Sequence, residues 1–551
     1  MLHRSTFLSP GVAPGDSPGN LRERVAMKSF PRARWVALTS VVAISFVSGA
    51  WLTRAKPSAE GSVYQQARLF ENVVGAIHRH YIDSMGEGDL YQRAASALVT
   101  SLNDPYAELL VRENYREYKR QMSGNRVEFG VQNEPTESGD GLGEGTWVAP
   151  GDEILSIDGR STVGWSPAKV EDALRRGSNR TLTVVVKPLG ADHTVVRKIT
   201  RTSVHVSAAS SGVLLDGGVG YVVLHRMSEH AADELRDAVE RLRQQGMKAL
   251  VLDLRSNPGG LIREGVKVAG LFLSPGDTVA VSQGRSAKTP RVYLAGESAG
   301  WDDLRLVLLV NRGTASSAEV IAGALQDHDR AAVVGTPSYG KGVLQTTYPL
   351  GEEVALKLTT AKWFTPSGRW VQRPPAEALG AAGNRTPALE PKVFRTAAGR
   401  PIPDQSGILP DLTVRSSLRS DGERVLYSAL GHDLERFRRV LSAYAAELRQ
   451  RGSVTNESFQ ITREMRDGLY TRLLEEGISL SPETYEDASP YVADQLGYEI
   501  ARELFGTESV VRRQAKADRQ LQAALRLLRG SDSQQETITA AVAAQASGRS
   551  R

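Results

Sequence analysis

KALVLDLRSNPGG (248–260) and LRLVLLVNRGTASSAEVIAGALQDHDRAAVVGTPSYGKGVLQT (304–346) decide the fold. In the first, a buried apolar strand runs into a turn with two adjacent glycines. In the second, the apolar strand 304–310 is followed by a Gly-containing turn, a helix over 316–327 and a further apolar strand, AAVVG (331–335). Upstream, GVGYVVLHR (218–226) is another apolar run, and SEHAADELRDAVERLRQQG (228–246) has the three- and four-residue spacing of an amphipathic helix ending in Gly. Strand–helix–strand alternation with strands apolar on both faces predicts an α/β core containing several parallel strands.

The same stretches hold the chemistry. Ser316 opens a helix at the carboxyl end of a strand, where α/β sheets usually place their sites and where free N–H groups and the positive helix terminus stabilise an oxyanion. An N-cap is the commonest role for a serine there, and Ser317 rivals it for either role. For a base, Lys341 between Gly340 and Gly342 competes with His225 and His230. A lysine in a partly dry place loses its proton more readily and can then deprotonate serine. Gln345, four residues on, falls on the same side in a helix or a strand and would orient the amine. A P-loop is excluded, because Lys341 is followed by Gly342 rather than Ser or Thr. In Asn257-Pro258-Gly259-Gly260 the glycines permit close backbone approach and exposed amides, although a purely structural turn reads the same way.

At 551 residues, 40% hydrophobic and 24% charged, the chain has material for several folded domains. It contains no cysteine, which excludes disulfides, thiolate metal sites and a cysteine nucleophile; neither a cofactor nor a metal site is expected. The net charge of +5 gathers in residues 1–34, where six basic residues face two acidic ones, so nucleic-acid binding loses its main support. Trp35 to Thr53 is uncharged over nineteen residues, a helix of about 28 Å and close to a bilayer core. With the basic flank before it, this segment is either a single-pass anchor or a cleaved signal (Ser48-Gly49-Ala50, with Met1 or Met27 as the start). Either reading puts the body on the extracytoplasmic, periplasmic side.

The domain plan is 1–34 a basic cytoplasmic tail, 35–53 anchor or signal, 63–122 a helical region, 124–203 a β-rich domain with one helix, 204–414 the α/β core, 415–530 a helical extension and 531–551 a disordered tail. The helical region rests on Phe70, Val73, Val74, Ile77 and Tyr81, then Leu90, Ala94, Ala97, Leu98 and Leu102; residues 373–406 read as an inserted loop.

Over residues 62–414 the chain closely resembles the carboxy-terminal processing peptidases, serine endopeptidases with a Ser/Lys pair and a PDZ domain. The likeness lies in GTASSAEVIAGALQDHDRAAVVGTPSYGKGVLQ with its 25-residue serine-to-lysine separation, VGYVVLHRMSEHAADELRDAVERLRQQGMKALVLDLRSNPGG, LKLTTAKWFTPSGRWVQ (356–372), GILPDL (407–412) and YIDSMGEGDLYQRAASALVTSLNDPYAELL. YVADQLGYEIARELFG (491–506) is similar to helical extensions of some members. The resemblance implies Ser316 as nucleophile, Lys341 as general base, Gln345 as its orienting residue and the backbone N–H groups of Gly260 and Ser317 as the oxyanion hole. It also implies an inserted PDZ domain, here shortened: GDEILSIDGRSTVGWSPAKVEDALRRGSNRTLTVVV (151–186) matches, but the apolar strand and helix expected before it are replaced by NEPTESGDGLGEGTWVAP. Expected partners are protein or peptide substrates, engaged through carboxy-terminal segments, and the cytoplasmic membrane; a homo-oligomer or an adaptor is left open. The implied function is C-terminal processing or envelope protein quality control. The rival readings are a catalytically silent PDZ scaffold and an acyl hydrolase using the same pair.

Overall fold

The computed structural model describes residues 63–129, 152–175, 181–188, 193–286, 290–374, 393–416 and 420–549. The chain divides into two compact units, Met1–Ala94 and Ala95–Arg551. In the first, the helix Val63–His80 carries the apolar stripe, yet only Val74 is buried, while Phe70, Val73, Ile77 and Tyr81 are exposed. The Phe70 and Tyr91 rings meet with centroids 6.0 Å apart.

The second unit is built on a six-stranded sheet. Its strands are β1 (Val213–Leu215), β2 (Val219–Val223), β3 (Ala249–Asp253), β4 (Arg305–Val310), β5 (Ala332–Gly335) and β6 (Leu412–Thr413), and their order in space is their order in the chain. β1 is antiparallel to β2; every other pairing is parallel, with Val219 and Arg305 both opposite Ala249. Helix α1 (Ala231–Gln244) joins β2 to β3, α2 (Ile262–Gly270) follows β3, and α3 (Ser317–Asp327) joins β4 to β5. Crossovers of one hand that always step the same way put their helices on one face of the sheet. Leu250, Leu252, Leu306, Leu308 and Val310 accordingly share a core with Leu235 and Val239 of α1 and Ile321 and Leu325 of α3.

The intervening residues Ala249, Val251, Val307, Leu309 and Val334 face the other way and are equally apolar, so this face also has to be covered. The last three helices, α4 (Thr507–Ala517), α5 (Arg519–Arg529) and α6 (Gln534–Arg549), supply Ala515, Leu521, Leu525, Leu528, Ile538 and Ala541 to it. This corrects the expected disordered tail at 531–551, since 534–549 is helical. Gln534 accepts from the Leu306 N–H (2.7 Å) and donates to its carbonyl (3.1 Å), imitating a strand neighbour; Gln545 accepts from Thr413 N–H (2.8 Å) at β6. The run is Ala-, Gln- and Ser-rich, and little large apolar area marks it as buried.

A second, antiparallel sheet contains Glu108–Val111, Val354–Phe364, Thr278–Gly284 and Arg291–Leu294, with Val343–Pro349 paired to Val354–Phe364. A third joins Asn125–Phe129, Val195–His205, Thr181–Lys187, Glu153–Ile157 and Arg160–Ser161; its core of Ile157, Leu182, Val184, Val186 and Ile199 takes Leu174 from the helix Pro167–Arg175. This is the region read as PDZ-like; the polar stretch 133–150 lies outside the described residues. Within 373–406, Val393–Arg395 and Pro401–Pro403 pair as a hairpin rather than a plain loop. Five helices between Asp421 and Phe505 have a core of their own, including Leu426, Phe437, Leu441, Leu469, Leu496 and Ile500. No helix among the described residues is long and apolar enough to cross a membrane; residues 35–53 lie outside them.

If α6 seals the second face, Ile538→Ala should cost about 2–5 kcal/mol in urea denaturation, against less than about 0.5 kcal/mol for Val425→Ala at an exposed helical position. Equal, negligible losses would mean that the segment does not pack.

Candidate functional site

The site forms where the chain leaves β2, β3 and β4, and two asparagines stitch those exits together. Asn257, fully buried, donates through Nδ2 to the Leu224 carbonyl (2.6 Å) and accepts Gly259 N–H on Oδ1 (2.9 Å); its own carbonyl accepts Ala315 N–H (2.9 Å). Asn311 Oδ1 accepts the N–H groups of Ser256 and Gly313, both at 2.8 Å. Thr314 Oγ1 accepts from Asn311 N–H (3.0 Å) and donates to the Leu254 carbonyl (2.8 Å). The residue following this turn is Ser316.

Ser316 sits at the N-cap of α3 with φ 57° and ψ −121°, a conformation that costs a non-glycine residue about 1–3 kcal/mol. Ser316 and Glu319 form a capping box across the helix start, in which the Glu319 N–H goes chiefly to the Ser316 carbonyl (2.8 Å) and the Glu319 carboxylate takes the Ser316 N–H (2.8 Å). The half-buried hydroxyl donates to no acceptor among the described residues, so a capping role leaves its proton available. Ser317 differs: it is buried, and a Cβ on Gly265 of α2 would come 2.9 Å from its own Cβ, so its hydroxyl is packed into the α2–α3 contact. Of the two serines only Ser316 offers a hydroxyl to a ligand.

Two backbone donors stand beside it. The N–H groups of Gly260 and Ser317 go to no acceptor among the described residues. Gly259 lies against the start of α3, where a Cβ would be 2.7 Å from the Ala315 carbonyl oxygen and 3.0 Å from Ser317 N. At Gly260, φ is 145° and a Cβ would be 2.4 Å from the Met227 carbonyl oxygen. Side chains at either position would push the loop away from the serine.

Glu319, which the sequence reading passed over, organises the rest. It is fully buried at N3 of α3. Oε1 accepts Ser338 Oγ–H (2.5 Å) and Gly340 N–H (2.7 Å), and Oε2 accepts Ser316 N–H and Lys341 N–H, both at 2.8 Å. Ser338 Oγ itself accepts from Ile408 N–H (2.6 Å), so its proton is directed at the carboxylate. Burial pushes the Glu319 pKa up, and the four donors pull it back. The spacing S-x-x-E, a capping-box signature, was the available signal.

Lys341 is thus tied through its backbone to the oxygen that holds Ser316. Trp363 Nε1 donates to the Lys341 carbonyl (2.8 Å), and Gly342 is held by Gln372 Oε1 (2.8 Å) and Trp370 Nε1 (2.9 Å). Its ammonium lies 4.9 Å from the centre of the Tyr106 ring and makes no hydrogen bond or ion pair among the described residues. Burial lowers its pKa and the Lys357 charge lowers it further, against opposing pulls from Glu319 and Asp104. No hydrogen bond closes between Ser316 Oγ and Lys341 Nζ; such contacts often tighten only with substrate bound. No hydrogen bond joins Gln345 to Lys341 among the described residues. The bond its amide makes is to Thr359 Oγ1, a long 3.4 Å. The His225 ring, whose pKa is lowered by burial and by Arg226, makes no hydrogen bond among the described residues, its backbone N–H going to the Ala208 carbonyl, and His230 is an exposed N-cap 3.7 Å from Asp233.

Residues 218–377 match the model of Peptidase family S41. The chain is 32% identical over 319 residues to a probable CtpA-like serine protease of Staphylococcus aureus, covering 56% of this chain and 63% of that one, so it spans somewhat under two thirds of that relative. It is 30% identical over 351 residues to a carboxy-terminal-processing protease of Bartonella bacilliformis, covering 60% and 80% respectively. Among solved structures, the photosystem II D1 C-terminal processing protease is 24% identical, covering 63% of this chain and 92% of that one, with a TM-score of 0.33.

Glu319→Gln should destabilise the fold by about 2–4 kcal/mol in urea titration, since an amide NH2 would then confront two donors whichever way it turned. Unchanged stability would show that the four bonds are not formed together.

Proposed function

We propose, for a chain that belongs to the carboxy-terminal-processing proteases of peptidase family S41, a serine endopeptidase in which Ser316 is the nucleophile and Lys341 the general base. The observation that carries this is the sharing of Glu319 Oε2 by Ser316 N–H and Lys341 N–H, each at 2.8 Å, beside the unclaimed amides of Gly260 and Ser317.

The neutral Lys341 amine takes the Ser316 Oγ proton as Oγ attacks the scissile carbonyl carbon. The oxyanion that forms accepts hydrogen bonds from Gly260 and Ser317 N–H, and the α3 amino terminus adds its positive end. The lysine ammonium then gives its proton to the leaving amine as the C–N bond breaks, leaving an acyl-enzyme. Water attacks the ester, with Lys341 again taking the proton, and Ser316 Oγ leaves with it. Dryness favours the neutral amine at the outset, while the Tyr106 ring face stabilises the ammonium that forms in transit. Gln345, whose amide lies on Thr359, is retained as an orienting residue for the substrate-bound state.

The basic flank and the uncharged segment 35–53 support an exported body held at, or released from, the cytoplasmic membrane. The region 124–203 is proposed as the PDZ-like module that presents protein chains, in C-terminal processing or envelope protein quality control.

Ser316→Ala should abolish cleavage of a denatured protein with little loss of stability, and Ser317→Ala should keep most activity because only its backbone N–H is used; the reverse pattern would move the nucleophile to 317.

The rate should rise with pH through an apparent pKa below lysine's usual ~10.4. Since the folded pKa is depressed, charging Lys341 penalises the fold at every pH below that value, and the penalty fades as pH rises toward the unfolded value. Lys341→Met should therefore be inactive yet no less stable at neutral pH. Lys341→Arg should be inactive as well, its guanidinium being unable to give up a proton; an active arginine variant would sink the Ser/Lys assignment.

A further inference from the structure

We propose that Asp518, in the carboxy-terminal helices, is a positioning residue for the oxyanion amide of Gly260 and acts through Arg255; this rests on the reading of Ser316 and its oxyanion hole just given. Besides its bonds to Asn311, Thr314 and Ala315, the loop from Leu254 to Leu261 is anchored at three further places. At its exit, Met227 brackets the glycines: its N–H donates to the Gly259 carbonyl (3.0 Å) and its carbonyl accepts Leu261 N–H (2.7 Å). In the middle, the buried Asn257 side chain fixes the turn. At its entrance stands Arg255, immediately before Ser256, whose φ is 57°.

The guanidinium of Arg255 is fully engaged. Nε donates to both Asp253 oxygens (2.9 Å), Nη2 reaches Asp253 Oδ2 (2.6 Å) and Asp518 Oδ2 (2.7 Å), and Nη1 donates to Gln520 Oε1 (2.9 Å). Gln520 in turn donates to the Val414 carbonyl (2.7 Å), and Tyr221 Oη–H donates to Asp253 (2.7 Å). The Arg255 and Asp518 side chains are 17% and 26% exposed, so the pair is screened far less than a surface ion pair. The exit and middle anchors use residues inside the matched segment 218–377; the entrance anchor is completed by residues 518 and 520, beyond it. Family chemistry in this chain is thereby held in register by its own extension.

Asp518 also caps α5, and the two tasks fall on different oxygens: Oδ1 accepts Gln520 N–H (3.0 Å) and Leu521 N–H (3.1 Å), while Oδ2 meets Arg255. Serine caps helices as well as aspartate does but carries no charge. Asp518→Ser therefore keeps the cap and removes the ion pair, and Arg255→Gln removes the pair from the other side.

The test uses the full chain with fluorescein-labelled casein as substrate and a fluorophosphonate probe for the rate of Ser316 acylation. Deleting an oxyanion donor costs about 10²–10³ in rate, and loosening one without deleting it should cost about tenfold. We expect kcat and probe labelling to fall about tenfold in Asp518→Ser, with KM and melting temperature unchanged, and Asp518→Glu to restore most of the loss. In the Arg255→Gln background, Asp518→Ser should have no further effect. Wild-type rates in Asp518→Ser, or losses that follow a lowered melting temperature and add to those of Arg255→Gln, would overturn the proposal. A wild-type chain that is not labelled at Ser316 would overturn the proposed function and this inference with it.

Discussion

One buried carboxylate sets the geometry on which everything at this site depends. Taking a carboxylate out of water costs several kcal/mol unless its lone pairs are filled, and Glu319 has donors for four: Ser316, Ser338, Gly340 and Lys341. Those donors come from two segments separated by the whole of α3 and β5. Displacing either segment would strand part of the charge, so the helix start and the 338–341 turn are fixed to each other with little slack. The same bond to Ser316 N–H helps to offset the cost of its positive φ, and it leaves the hydroxyl unoccupied.

Much of the fold could be read directly. Apolar runs alternating with an amphipathic pattern gave β2, α1, β3, β4 and β5 to within a few residues, because strands buried on both faces and a helix buried on one have different periods; α3, buried all round, was marked by the turn before it and the strand after it. Glu319 could not be weighted from the sequence, since its value lies in two loops meeting on its two oxygens and S-x-x-E alone looks like a cap. The Gln345 expectation assumed that a four-residue spacing holds two side chains on one side. Lys341 precedes the strand, which begins at Val343, and the bond made by the Gln345 amide here is the long one to Thr359. At the amino terminus the spacing of Phe70, Val73, Ile77 and Tyr81 identified a helix, but spacing cannot say whether an apolar stripe finds a cover.

The lysine site combines attraction and repulsion in a way that no single residue reveals. Burial and Lys357 disfavour the charge, whereas the ring of Tyr106, Glu319 and Asp104 favour it. The net direction is downward, which is the direction the proposed general base requires. The surrounding indoles, Trp363 and Trp370, bind backbone carbonyls of the lysine turn and shelter it without competing for the amine.

The one-directional winding of the sheet bears on how the chain is made. As it emerges from the ribosome, residues 213–413 can form the strands and the helices of the first face, but Ala249, Val251, Val307 and Leu309 wait for partners at 515–541. Residues 515–541 thus close the core, and Asp518 among them also completes the clamp on Arg255. A chain that has not yet reached them would carry Ser316 and Lys341, the proposed pair, on a half-bare, unfinished sheet. Translation order thus delays a closed core until the chain as far as residue 541 has left the ribosome.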